Sequence, residues 1–271
     1  MANFADRPAV PDRYTRAVQL ATILHGTQLR KDGSLYVGHL QAVAAGCLQF
    51  KDVEAAIVAW FHDTLEDLPG AIAETELDIE PIYLDKPIFG RDYSPLQERF
   101  GRLAMYSIGK YHNGVNRGRY FDKDGKFRYP PRVTRREWLE MSTEDRADSV
   151  RLALEELIES EFGEQTLETV RVLTEDKSLP KRERKWAYGH AIATTANKQA
   201  VLVSLMDKGH NLDWGYSLEG AELDYEVIEF YQMMIEVFKT RFNGDGTTAA
   251  EELVNRMHQR LNLMCKKIKE Q

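Results

Sequence analysis

The chain has 271 residues, 43% hydrophobic and 29% charged, with a formal net charge of −7. That length buries a substantial core in one large or two small domains. The acidic balance argues against general nucleic-acid binding, and no apolar run is long enough for a membrane span. Two cysteines, Cys47 and Cys265, exclude a disulfide framework and a CxxC metal pair. The first residues, "MANFADRPAVPDRY", carry charges and prolines where a signal peptide needs an apolar centre, so a cytoplasmic location is expected.

Helical periodicity dominates. After Pro11-Asp12, "RYTRAVQLATILHGTQ" puts Ala17, Leu20, Ala21 and Leu24 on one face. "RKDGSLY" is a loop turning at Gly33, and "VGHLQAVAAGCLQF" predicts a second helix with His39 in its first turn. Asp52 is placed to cap a third helix, "VEAAIVAWFHDTLED", apolar on nearly all sides early on and therefore central. "NKQAVLVSLMDKGHNLDW" and "ELDYEVIEFYQMMIEVFKTRF" predict two more, and a C-terminal helix is expected over 247–271.

From about Leu77 to Trp138 the pattern weakens, and Pro, Gly, Tyr and Arg accumulate. "GRYFDKDGKFRYPP" predicts a short β-hairpin around an Asp-Gly turn. From Lys110 to Arg136 there are nine Lys or Arg against two Asp, in a chain that is acidic overall. We expect an inserted subdomain on a mainly α body: one domain over 1–271, its core at about 12–70 and 150–240. The basic insertion is read either as a lid over phosphates or as a solvated subdomain or oligomer contact.

Chemistry concentrates in "AWFHDTLED". Read as continuous helix, it sets His62 beside Glu66 and Asp63 beside Asp67, one turn apart. Asp207 ends an apolar run, "VLVSLMD", where a carboxylate needs a partner or a cation. His39 follows the Gly/Ser loop. His62 and Asp63 are adjacent, and both can reach one ion if the helix passes it side-on.

Four motifs in this order, "HGTQLRKDGSLYVGH", "FHDTLED", "VLTEDKSLPKRERK" and "VSLMDKGHNL", resemble the HD-type hydrolase domain of RelA/SpoT proteins. The likeness is greatest to the single-domain small alarmone hydrolases. The resemblance implies a helical HD-domain bundle, with a metal held by His39, His62, Asp63 and Asp207. It implies Mn²⁺ as the ion, with Fe²⁺, Zn²⁺ or Co²⁺ as substitutes, and Glu66 and Asp67 as the pair that activates water. Arg30 and Lys31, with Tyr36 nearby, would cradle the base. Asn211 would contact the ribose, and Lys177, Lys181 and Arg184 would face the phosphates.

The implied reaction is removal of the 3′-pyrophosphate from a (p)ppGpp or (p)ppApp-type alarmone of the stringent response. The substrate partner is then a small nucleotide, and an oligomer is compatible with the sequence. An NADPH phosphatase on the same site and a non-catalytic nucleotide-binding or partner-binding protein are the alternatives. The family has His-Pro where this chain has His39-Leu40, and the segment of about 71–149 has no counterpart in it. His25 is expected to orient the base loop or pack in the core. His112, His190, His210 and His258 are expected at the surface or satisfied locally.

Overall fold

Residues 55–61, Ala-Ala-Ile-Val-Ala-Trp-Phe, are buried on every side, as the apolar run predicts for a core segment. The computed structural model describes residues 12–25, 28–30, 32–73, 140–217, 225–242 and 248–269. The expected hairpin, Lys31 and nearly all of the basic insertion lie outside the described residues. Within them the structure is helical, with one isolated antiparallel bridge, Leu29 to Leu35. No helix of the described residues is long and apolar enough to cross a membrane.

The chain divides into two compact units. The first takes Met1–Val37 and Leu68–Phe162. It contains α1 (Asp12–His25) and α5 (Thr143–Phe162). Helix α1 buries the predicted face of Ala17, Leu20, Ala21 and Leu24. Arg13 donates from its guanidinium to the Phe162 carbonyl, and Arg16 lies 4.0 Å from Glu161, so polar contacts tie the two helices together. Ser142 accepts from the Asp145 amide at 3.1 Å, capping α5.

The loop after α1 is a tight turn. Gly33 has φ +83°, a conformation that favours glycine. Its amide donates to the Arg30 carbonyl at 2.9 Å, and Asp32 accepts from the Ser34 amide at 2.9 Å and hydroxyl at 2.7 Å. His25 is fully buried, hydrogen-bonded to Gln28 at 2.6 Å and stacked on Tyr36 with centroids 5.8 Å apart. Of the two placements expected for it, it takes the one packed in the core.

The second unit takes Gly38–Asp67 and Gly163–Gln271. It holds most of α2 (Tyr36–Gln49), all of α3 (Val53–Phe61) and the start of α4 (Thr64–Ala73). It continues with α6 (Glu164–Leu173), α7 (Lys181–Thr194), α8 (Lys198–Ser217), α9 (Tyr225–Phe242) and α10 (Thr248–Lys269). Helix α8 is the hub, packing on α3, α6, α7, α9 and α10. It is buried almost continuously from Ala200 to Gly209. Helix α2 approaches it closely: a Cβ at Gly46 would stand 2.5 Å from Met206 Sδ.

Asp52 caps α3 as expected, its carboxylate accepting from the Ala55 amide at 2.8 Å. The continuous helix expected through Asp67 is corrected. Helix α3 stops at Phe61, His62-Asp63 form a turn, and α4 begins at Thr64. His62 keeps helical dihedrals (φ −57°, ψ −31°), but its imidazole Nδ1–H donates to the Ala59 carbonyl at 2.7 Å. A side chain thus competes for a backbone acceptor at the end of the ladder. The Asp63 carbonyl then starts α4, accepting from the Asp67 amide at 2.9 Å. Glu66 and Asp67 fall in that helix's first turn, where its dipole favours anions.

Candidate metal centre and active site

Three elements of the second unit converge on one point. His39 comes from the first turns of α2, His62 and Asp63 from the turn between α3 and α4, and Asp207 from the middle of α8. His62 Nε2 lies 2.9 Å from Asp63 Oδ2 and 3.3 Å from His39 Nε2. Asp207 Oδ1 lies 3.2 Å from His39 Nε2 and 3.6 Å from His62 Nε2. Donor atoms of His39, His62 and Asp63 all fall within 4.8 Å of one another. His39, His62 and Asp207 are buried, and Asp63 is partly so.

The second nitrogen of each ring is already committed. His62 uses Nδ1–H on Ala59, leaving Nε2 facing the cluster. His39 Nδ1 is 2.9 Å from His210 Nδ1, and donating there leaves its Nε2 lone pair facing the same point. Such outer hydrogen bonds fix tautomer and ring orientation in metal-ligating histidines. His210 therefore belongs to the centre, although sequence reasoning set it aside. Its signal was its position three residues after Asp207, on the same face of α8.

Asp207 is held from both sides. Its Oδ1 accepts from Asn211 Nδ2 at 2.6 Å, and its Oδ2 faces Lys208 Nζ at 2.7 Å. Lys208 is itself buried, its ammonium 4.6 Å from the Tyr188 ring centroid. The compensating partner expected for Asp207 is thus its immediate neighbour in sequence. Burial opposes the charge on Lys208, but Asp207 and then Tyr188 hold its pKa well above the usual lysine value. Burial likewise opposes ionisation of Asp207, yet Lys208 and hydrogen bonds to the two imidazoles hold it well below the usual carboxylate range. His62 is driven the other way: burial works against its charge, and Asp63 with Asp207 outweigh it, raising its pKa well above 6.5. Both carboxylates are thus held ionised by the positive charge around them.

Beside it stands the acid pair. Glu66 Oε2 faces the Glu175 amide at 3.4 Å, and Lys177 Nζ lies 3.0 Å from Asp67 Oδ1 and 3.7 Å from Glu66 Oε1. Burial, then the charges of Asp63 and Glu175, push the Glu66 pKa up to about 7. Lys177 and Lys208 only partly offset them.

The remaining expected contacts fall in several places. Arg184 pairs with buried Glu175 at 3.2 Å, and Lys181 lies 3.7 Å from Glu226. Lys185, overlooked in the sequence, lies 2.5 Å from Glu175. Arg30 and Tyr36 sit in the first unit. Among the other histidines, His190 and His258 are exposed, the latter with Nδ1 3.5 Å from Lys239 Nζ, and His112 lies outside the described residues.

Two imidazole nitrogens with fixed tautomers and two carboxylates suit a first-row divalent ion of intermediate hardness. The residues present fit such a group.

No protein-family model matches the sequence, and no curated protein matches it. A solved structure does: a metazoan ortholog of SpoT that hydrolyzes ppGpp and plays a role in starvation responses. The match has a TM-score of 0.52 at 16% sequence identity and covers 94% of this chain and 98% of the other. At that identity the likeness is one of fold, a mainly helical bundle.

Proposed function

We propose that the protein is a metal-dependent hydrolase that removes the 3′-pyrophosphate of a (p)ppGpp or (p)ppApp-type alarmone. The observation that carries this reading is the convergence of His39, His62, Asp63 and Asp207 from three segments, with nitrogen-to-oxygen distances of 2.9 to 3.6 Å. The fold shared with a protein that hydrolyzes ppGpp supports it. His39, His62, Asp63 and Asp207 would hold the ion, Mn²⁺ by preference. Once bound, that ion supplies a more acidic water and a polarised phosphoryl oxygen.

The protein's own groups do the rest. Glu66, with a pKa near neutrality, takes the proton of the attacking water and returns it to the departing 3′ oxygen. General acid–base catalysis of this kind contributes about 10²–10⁴-fold. Asp67 anchors Lys177 beside Glu66, setting one cation where phosphate charge arrives. Asn211 positions Asp207; the sequence resemblance assigns it to the sugar, Arg30, Lys31 and Tyr36 to the base, and Lys181 and Arg184 to the phosphates.

Purified protein loaded with Mn²⁺ should release pyrophosphate from ppGpp or ppApp, and Glu66→Gln should lose two to four orders of magnitude in kcat. Phosphate release from NADPH alone would move the activity to that substrate. Tight nucleotide binding with no product under Mn²⁺, Fe²⁺, Zn²⁺ or Co²⁺ would replace the enzyme with a sensor.

A further inference from the structure

The loop of residues 174–180, between α6 and α7, is shaped by bonds close in sequence. Thr174 closes α6: its amide donates to the Arg171 carbonyl at 3.1 Å and its hydroxyl to the Val170 carbonyl at 2.9 Å. Asp176 makes the next turn, its Oδ1 accepting from the Ser178 amide at 2.9 Å and hydroxyl at 2.6 Å. The Pro180 carbonyl then starts α7, accepting from the Arg184 amide at 3.0 Å. These bonds set the loop's form. They do not set where it lies against the acid pair of α4.

Glu175 supplies that second constraint. Its side chain is only 3% exposed, and a carboxylate so enclosed is costly unless paired. Each of its oxygens takes a cation from the start of α7: Oε2 lies 3.2 Å from Arg184 Nε, and Oε1 lies 2.5 Å from Lys185 Nζ. Charge-assisted bonds of this kind are the strong ones, and two of them fix the side chain in direction as well as depth.

The backbone of the same residue faces the acids. The Glu175 amide lies 3.4 Å from Glu66 Oε2. Two residues on, Lys177 Nζ stands 3.0 Å from Asp67 Oδ1 and 3.7 Å from Glu66 Oε1. A half-exposed lysine samples many rotamers, so holding its backbone still is what makes that placement repeatable. One clamped side chain therefore governs two contacts with the acid pair.

We propose that Glu175 is a positioning residue: clamped by Arg184 and Lys185, it sets the 174–180 loop so that its amide meets Glu66 and Lys177 meets Asp67. The inference rests on reading Glu66 as the group that moves the proton. Arg184 and Lys185 then act on the acid pair through Glu175. Misplacing a reacting group costs rate rather than substrate affinity, which separates this role from a phosphate contact.

The test uses the full chain, ion-free and Mn²⁺-loaded. In ion-free Glu175→Ala, hydrogen exchange of the peptide spanning 174–180 should quicken about tenfold more than that of Trp60 and Phe61 in α3. Mn²⁺ affinity should stay within about twofold of the parent. With ppGpp or ppApp as substrate, kcat should fall about tenfold while KM holds, whereas loss of a phosphate contact would raise KM. Adding Lys177→Met to Glu175→Ala should cost less than the product of the two single losses, because both remove one placement. Glu175→Gln, still able to accept from one cation, should lie between the parent and Glu175→Ala in exchange and in kcat. Exchange at 174–180 that is unchanged, or quickened only as much as in α3, overturns the proposal. So does a parent-like kcat once the loop is loosened. If Glu175→Ala fails to fold, Glu175→Gln decides by the same measures. A parent that hydrolyses no alarmone overturns the proposed activity, and the exchange contrast then decides alone whether Glu175 holds the loop.

Discussion

His210 stands behind His39, Nδ1 to Nδ1 at 2.9 Å, with ring centroids 4.9 Å apart. It holds the proton arrangement that turns the other nitrogen of His39 toward Asp63 and Asp207. His210→Ala should weaken Mn²⁺ binding about 10- to 100-fold, the usual cost of losing such a supporting group. Calorimetric Mn²⁺ affinity checks this, and an unchanged value would remove His210 from the centre.

Asp207 and Lys208 form a buried ion pair, and removing one partner strands the other charge. In chelator, Asp207→Ala should destabilise the protein by about 3–5 kcal/mol. Asp207→Ala combined with Lys208→Met should recover most of that loss in urea unfolding while remaining inactive. A double variant no more stable than the single one would show that the two charges are compensated elsewhere.

Glu66 links stability to pH. Its folded pKa of about 7 lies above the ordinary 4.5, so the folded state holds the proton more tightly than the unfolded chain. Its contribution is fully present below pH 4.5 and is lost as pH rises through 7. The swing is about 3 kcal/mol for a group with under a fifth of its side chain exposed. Urea midpoints in chelator at pH 5 and pH 8 should therefore differ less in Glu66→Gln than in the parent.

His62 makes ion binding depend on pH in the opposite sense. Asp63 and Asp207 raise its pKa well above 6.5. A proton thus occupies it at neutral pH and must leave before Nε2 can donate. Mn²⁺ affinity should rise from pH 6 to pH 8, and the binding heat should vary with buffer ionisation enthalpy. Buffer-independent heats would mean that no proton is displaced.

Gly46 lies where α2 meets α8, and its added methyl would press on Met206 Sδ and Cγ at 2.5 and 3.0 Å. Helix propensity favours alanine by about 1 kcal/mol, whereas overpacking costs about 1–3 kcal/mol. Stability should fall by at most about 2 kcal/mol. Met206 precedes Asp207, so Mn²⁺ affinity should fall several-fold. Parent-like affinity in Gly46→Ala would show that Met206 yields without moving its neighbour.

Periodicity made the buried face of α1 and the Asp52 cap readable in the sequence, because both depend on residues within one or two turns. Three of the four clustered residues were readable as types, from a carboxylate in an apolar run and a His-Asp pair after another; His39 was marked only by its place after the Gly/Ser loop. The break after Phe61 was not: His62 keeps helical dihedrals, and only a side-chain hydrogen bond marks the interruption. Nor were the partners of Asp207 and Glu175 legible. Which cation meets which acid depends on how α7 and α8 pack, and the basic residues of "DKSLPKRERK" look alike as letters. Lys185 and Arg184 are consecutive, yet both reach Glu175.

The turn that carries His62 and Asp63 emerges directly from residues 55–61, each of them buried. No frayed or solvent-loosened stretch separates the ligating pair from the innermost packing. Heating the protein should therefore loosen this turn only together with residues 55–61, so amide exchange at Trp60 and Phe61 reports the same opening that disperses the His62 and Asp63 side chains.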